Sequence, residues 1–121
     1  MGDLTPHFDR SEFACKCGCG FNQPHPELAA RLEGARILLG VDLHVTSGCR
    51  CLLQNNQVNG SRNSLHLLGK AVDLSCNTPT FRHTLLTVAL QAGFTRIGIG
   101  PTHLHLDIGT EGVSPKAIWT Y

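Results

Sequence analysis

The spacing of apolar residues along the chain predicts three helices. Four of them recur at steps of three and four, which is typical of the buried face of a helix: Leu28, Leu32, Ala35 and Leu39. Pro26 suits the first position of this helix, and Gly40 suits its end. A similar stripe predicts a long helix between Pro79 and Gly93, with Thr78 as its N-cap. A shorter helix is expected over residues 52–58.

Alternating or β-branched runs predict four strands, over residues 41–46, 71–76, 94–100 and 103–108. Asp73 then lies inside a sheet, whereas residues 61–69 form a polar loop that carries His66. The C-terminal residues 118–121 are expected to pack on the sheet. This order of elements predicts one α+β domain over residues 1–121, with a central, mostly antiparallel sheet and flanking helices.

Composition and charge narrow the class of protein. Hydrophobic residues make up 41% and charged residues 16%, which is ordinary for a globular domain. The net charge of +1 does not suggest a nucleic-acid partner, and no apolar stretch is long enough to cross a membrane. A monomer is expected. No secretory signal is visible, so we expect the protein to stay in the cytoplasm until it is released, or to be exported by another route.

Six cysteines leave three readings open. Cys15, Cys17 and Cys19 alternate in one loop, Cys49 and Cys51 alternate in another, and Cys76 stands alone. An even count is compatible with disulfides, while clustered cysteines in a reducing compartment more often bind zinc or stay reduced. Disulfides, a second and structural zinc ion, and free thiols therefore remain alternatives.

Imidazoles and carboxylates gather in two stretches that together predict a metal centre. His66 and Asp73 are seven residues apart, which suits a loop that folds back onto a strand. His103, His105 and Asp107 alternate, so on a strand all three point to the same face. A buried carboxylate needs a metal or a basic partner, so packing alone explains this set poorly. We predict that His66, Asp73 and His105 bind one zinc ion, with water at the fourth position.

The pattern S-x-H-x-x-G-x-A-x-D, followed by H-x-H, resembles the zinc D-Ala-D-Ala carboxypeptidase family. Five residues carry the pattern: Ser64, His66, Gly69, Ala71 and Asp73. The likeness extends to residues 12–15 and 46–50 and to Trp119, and is greatest to the small, phage endolysin-like members. That family contains carboxypeptidases, dipeptidases and endolysins that cut L-Ala-D-Glu bonds. It shares its fold with the Hedgehog signalling domain, so the resemblance implies a Hedgehog/DD-peptidase-like fold.

The resemblance also implies roles for single residues. It assigns the zinc to the same three ligands, and it makes Arg50 the arginine that binds the substrate carboxylate or polarises its carbonyl. Ser64 matches a serine near the substrate, and the alternative is that it only shapes the loop. Thr102 stands where many members have the carboxylate that activates water. As a hypothesis, Asp107 acts as the base or orients a ligand, and His103 stabilises the oxyanion or shares the proton transfer.

The sequence thus predicts a zinc metallopeptidase that hydrolyses peptide bonds of bacterial cell-wall peptidoglycan, as a D,D-carboxypeptidase or an L-Ala-D-Glu endopeptidase. Its expected partner is the peptidoglycan peptide, with no nucleic acid and no membrane. One alternative is a catalytically silent zinc-binding module of the same fold, which the residue at position 102 makes conceivable. A cysteine-rich redox or structural zinc protein is a third reading, which must treat the histidine motif as chance.

Overall fold

The computed structural model describes residues 2–121. Three helices and five strands follow one another in the order α1 (Pro26–Leu39), β1 (Val45–Ser47), α2 (Leu52–Gln57), β2 (Ala71–Ser75), α3 (Pro79–Gln91), β3 (Arg96–Ile99), β4 (His103–Asp107) and β5 (Ala117–Thr120). Two short 3₁₀ turns, Arg10–Phe13 and Leu65–Leu68, precede α1 and β2.

The predicted helix ends are confirmed, and their local causes are visible. α1 begins at Pro26 and ends where Gly40 takes a left-handed conformation with φ of 79°, which costs glycine little. α3 begins after Thr78, whose Oγ1 accepts a hydrogen bond from the backbone N–H of Phe81 at 3.1 Å. This bond satisfies one of the amide groups that a helix leaves unpaired at its first turn.

The five strands form one sheet in the order β1-β2-β4-β3-β5. Every neighbouring pair is antiparallel except β3 with β5, which is parallel. The predicted α+β class with a mostly antiparallel sheet is therefore confirmed.

One face of this sheet is apolar and the other carries the polar side chains. Alternate residues of the three central strands are fully buried in the core together with residues of α1 and α3: Val72, Leu74, Ile97, Leu104 and Leu106. Because side chains alternate along a strand, the residues between these point to the opposite face. They include Asp73 on β2 and His105 on β4, so the sheet places the site on the face away from the core.

Two predictions need correction. The strand expected over 41–46 is β1 at Val45–Ser47, because only its last part pairs with β2, in a register that shifts between Val45 and Ser47. The C-terminal tail forms β5, an edge strand that extends the sheet beside β3 rather than packing on its face. Within residues 2–121, no helix is long and apolar enough to cross a membrane.

Candidate metal centre and active site

Strand register brings Asp73 and His105 together at the middle of the polar face. The two residues lie directly opposite each other in the antiparallel pair of β2 and β4, where facing side chains are near neighbours. Asp73 Oδ1 is 3.1 Å from His105 Nδ1. Backbone pairing thus brings two residues of the predicted centre face to face.

His66 reaches the same point from the 3₁₀ turn before β2. Ser64 caps this turn, since its Oγ accepts from the backbone N–H of His66 at 3.3 Å. Gly69 ends it with φ of 68°, and a Cβ there would lie 3.0 Å from the backbone oxygen of Gln23. Glycine therefore permits the sharp return that leads from His66 into β2.

The hydrogen-bond partner of the His66 ring determines its tautomer. Its Nδ1 is 2.7 Å from the carbonyl oxygen of Gly48, and because a carbonyl can only accept, Nδ1 carries the proton. Nε2 then presents a lone pair. It is buried without a hydrogen-bond partner, 3.3 Å from Asp73 Oδ1. A lone pair facing a carboxylate oxygen calls for a cation between them.

His105 is oriented from behind by Asp107. Its Nε2 donates to Asp107 Oδ2 at 2.7 Å, which directs Nδ1 towards Asp73. His66, Asp73 and His105 each offer one ligand atom within 4.8 Å of the others, and His66 Nε2 and His105 Nδ1 are 3.3 and 3.1 Å from Asp73 Oδ1. Two imidazole nitrogens and one carboxylate oxygen are a donor set that suits zinc, and the unpartnered Nε2 of His66 fits such an ion.

Both carboxylate oxygens of Asp107 accept hydrogen bonds. Its Oδ1 accepts from Arg96 Nε at 2.7 Å and from the backbone N–H of Gly109 at 2.9 Å. The Arg96 guanidinium lies 5.2 Å from the centre of the Trp119 ring. Asp107 is only 1% exposed. A carboxylate with both oxygens engaged and so little contact with solvent is better placed to orient His105 than to take a proton from water.

Arg50 lies beside the centre with its guanidinium partly engaged. Nε donates to Ser47 Oγ at 3.0 Å, one terminal nitrogen donates to Asn55 Oδ1 at 3.3 Å, and the other to Asp73 Oδ2 at 3.2 Å. Oδ1 of Asp73 thus faces the two histidine nitrogens, while Oδ2 accepts from Arg50. A guanidinium has five N–H donors, so two remain to bind a ligand.

These ionisable groups shift one another's pKa values. Burial raises the pKa of Asp73, but the neighbouring imidazoles of His105 and His66 outweigh this effect and hold that pKa well below its usual range. Burial likewise raises the pKa of Asp107, and contacts with His105 and Arg96 more than reverse this effect. Burial lowers the pKa of His105, while hydrogen bonds to Asp107 and Asp73 raise it by more.

We therefore expect zinc binding at the histidines to compete with a proton on His105. Below the raised pKa of His105 both ring nitrogens carry protons, and binding must release the one on Nδ1. Affinity should rise with pH up to that pKa and flatten above it. Chelator competition, followed on the histidine NMR signals, measures this dependence. In Asp107→Asn the plateau should begin at lower pH; an unchanged pH profile would contradict this assignment.

A cleft of about 500 Å³ opens above the three converging atoms. Arg50, Ser64 and His103 all line it, as do Trp119 of β5 and Tyr121, which directly follows that strand. The centre of the His103 ring lies 5.3 Å from that of Tyr121. The structure therefore brings every predicted site residue to one cleft, while Thr102 is exposed at the turn before β4.

Two glycines shape the walls of this cleft. A Cβ at Gly98 would lie 2.6 Å from Trp119 Nε1, and a Cβ at Gly100 would fall on the His103 ring. Both rings can cross the sheet only because these positions lack a side chain. The sequence placed Gly100 in the turn between two strands but gave neither glycine a role in the site.

Sequence reasoning also missed Arg96, the Gly48 carbonyl and Tyr121. An arginine next to the apolar run of β3 was a signal for Arg96, since such a residue needs a partner across the sheet. No signal in the sequence pointed to the Gly48 carbonyl, because any residue could supply that oxygen.

Two nitrogens and one oxygen at the floor of an open cleft form a candidate mononuclear metal site, with the donor set that zinc hydrolases use. Comparison with known families agrees: the family model described as Peptidase M15 matches residues 6–108. The chain therefore belongs to the peptidase M15 family, whose members are zinc-dependent metallopeptidases. No match was found among curated proteins.

Proposed function

We propose that this chain is a zinc metallopeptidase that hydrolyses peptide bonds of bacterial cell-wall peptidoglycan, of the D,D-carboxypeptidase or the L-Ala-D-Glu endopeptidase type. The observation that carries the proposal is the convergence of His66 Nε2, Asp73 Oδ1 and His105 Nδ1 at the floor of the cleft, in a chain of the peptidase M15 family. That the protein acts as a monomer, and reaches the wall by release from the cytoplasm or by another export route, stays a prediction.

His66, Asp73 and His105 would hold the ion, and zinc bound there supplies a Lewis acid that polarises a carbonyl and lowers the pKa of water. The chain prepares these ligands beforehand. Gly48 fixes the tautomer of His66, and Asp107 fixes that of His105. Such outer partners keep ligand nitrogens in place and raise their basicity.

Arg50 is the group that we assign to the substrate. Arg50 lines the cleft and keeps two N–H donors free; among the described residues, the only other arginine or lysine in the lining is Arg96, and it donates to Asp107. A guanidinium can bind a peptide carboxylate or a carbonyl oxygen and keeps its charge at any working pH. Ser64 lines the same cleft and offers a hydroxyl that is half-buried.

His103 is the group that we assign to proton transfer. It is partly exposed on the wall of the cleft, two residues before His105 on the same face of β4, and imidazole is the side chain best suited to exchange protons near neutral pH. Asp107 then acts as a positioning residue through His105. With these roles, His103 takes up the proton that Thr102 cannot accept.

The silent zinc-binding module remains the second candidate, and one observation favours it. Thr102 is exposed and its backbone oxygen accepts from Cys76 N at 2.9 Å, so position 102 offers the cleft no carboxylate. If His103 does not move the proton, the metal centre would bind peptides without cutting them.

Digestion of purified sacculi separates the two candidates. The zinc-loaded protein is incubated with sacculi of several peptide chemotypes, and the soluble fragments are identified by mass, which also names the bond that is cut. We expect release of D-Ala or of stem-peptide fragments. The exposed-histidine variant His83→Ala should release the same fragments. A protein with zinc at the histidine site that releases nothing from any chemotype would favour the silent module.

A further inference from the structure

A second group of metal-binding side chains lies away from the cleft. Cys15, Cys17 and Cys19 belong to the loop after the first 3₁₀ turn, and Cys51 directly precedes α2. The four sulfurs lie within 4.8 Å of one another. None of these residues lines the cleft above the histidines, so the group has no part in the proposed hydrolysis.

The distances between the sulfurs match a shared ion. Three of them form a triangle, with Cys15 Sγ 3.5 Å from Cys17 Sγ and 3.7 Å from Cys51 Sγ, and 3.4 Å between Cys17 Sγ and Cys51 Sγ. Sulfurs bound to one tetrahedral zinc at about 2.3 Å are about 3.8 Å apart. A disulfide joins two sulfurs at roughly 2.05 Å and leaves no reason for a third or a fourth to approach.

The backbone supports negative charge on these sulfurs. The N–H of Cys51 points at Cys15 Sγ at 3.3 Å, and the N–H of Gln54 points at Cys51 Sγ at 3.5 Å. A thiolate, not a thiol, binds a metal, and N–H donors offset part of the charge that gathers when several thiolates share an ion.

We infer that Cys15, Cys17, Cys19 and Cys51 bind a second zinc ion, with all four positions filled by sulfur and none left for substrate. Binding converts up to four thiols to thiolates and releases their protons to solvent. Cys49 and Cys76 lie buried in the core apart from this group. Of the three readings that the sequence left open, the geometry selects the structural zinc.

Such an ion would join two segments that are far apart in the chain. The cysteine loop returns towards α1, where Cys15 N donates to the oxygen of Phe21 at 2.8 Å. Cys51 follows Arg50, whose backbone N–H donates to the oxygen of His66 at 3.0 Å. The second zinc would therefore fix the segment that carries Arg50 beside the catalytic centre, without touching the substrate.

The test measures zinc in His66→Ala, in which the histidine site is disabled and the cysteines are intact. We expect this variant to keep one zinc ion per chain, with an X-ray absorption spectrum that shows only sulfur neighbours at about 2.3 Å. Nitrogen or oxygen neighbours at that ion, four reactive thiols without zinc, or a mass reduced by disulfide formation would each overturn the inference. None of these readouts depends on hydrolysis.

Cysteine variants of otherwise unchanged protein provide an independent check. Cys19→Ser alters an exposed member of the group, and we expect it to lose one zinc ion per chain and to unfold at a lower temperature, because an ion bound only by the folded chain stabilises it. Cys76→Ala, outside the group, should keep the full zinc content. Equal zinc in Cys19→Ser and in the unchanged chain would contradict four-sulfur binding.

Discussion

Replacing His66 with alanine is expected to remove the zinc ion from the cleft and to lower peptidoglycan hydrolysis by roughly 10³-fold or more, since a Lewis-acidic metal supplies several kcal/mol of transition-state stabilisation and each 1.36 kcal/mol is worth a factor of ten. His66 has the largest effect because no neighbour can replace it. Its Nε2 is buried without another partner, and its orientation comes from the Gly48 carbonyl. Metal analysis and the rate of fragment release measure the two effects.

The matched control for this variant is His83→Ala, which removes an exposed imidazole from α3. It should keep its zinc and its activity. A circular-dichroism melt of both variants shows whether each is folded. If folded His66→Ala retained both the zinc of the cleft and full activity, the assignment of this residue as a ligand would be wrong.

Replacing His103 with alanine should lower turnover by roughly 10²- to 10⁴-fold, the usual contribution of a general acid or base, and leave the zinc content unchanged. His103 lines the cleft and is not one of the three proposed ligands. Turnover at saturating substrate, together with zinc per chain, measures the outcome. Loss of zinc along with activity would mean that His103 supports the metal instead.

Asp107→Asn should show the opposite result to His103→Ala: weaker zinc binding, with turnover that added zinc restores. Because Asp107 holds His105 and is itself buried between Arg96 and Gly109, its loss should weaken zinc binding by about 10- to 100-fold, as outer partners of metal ligands usually do. Added zinc should then restore most of the turnover. A variant with full zinc and a rate as low as that of His103→Ala would make Asp107 the base.

Much of the site could be predicted from local pattern. His103, His105 and Asp107 alternate, and alternation on a strand places side chains on one face whatever the rest of the chain does. The loop-then-strand spacing of His66 and Asp73 needed only a tight return, which Gly69 provides with its positive φ. Alternation along a strand and a short turn each depend on only a few neighbouring residues. Both can therefore be predicted directly from the sequence.

Other features depend on contacts between distant segments, which one sequence does not display. The pairing of Arg96 with Asp107 follows from the register of β3 on β4, and register is set by the whole sheet. The edge strand β5 pairs in parallel with β3, which no period in residues 117–120 could reveal. The meeting of Cys51 with the loop at Cys15 joins positions 36 residues apart, and for this reason cysteine spacing alone left three readings open.

The most direct test of the metal centre is the position of zinc in crystals of the zinc-loaded protein, measured by anomalous scattering on the two sides of the zinc absorption edge. We predict a peak bonded to His66 Nε2, Asp73 Oδ1 and His105 Nδ1, on the side of the sheet that opens into the cleft. The absence of a peak at these three atoms, in crystals that contain zinc elsewhere in the chain, would contradict it.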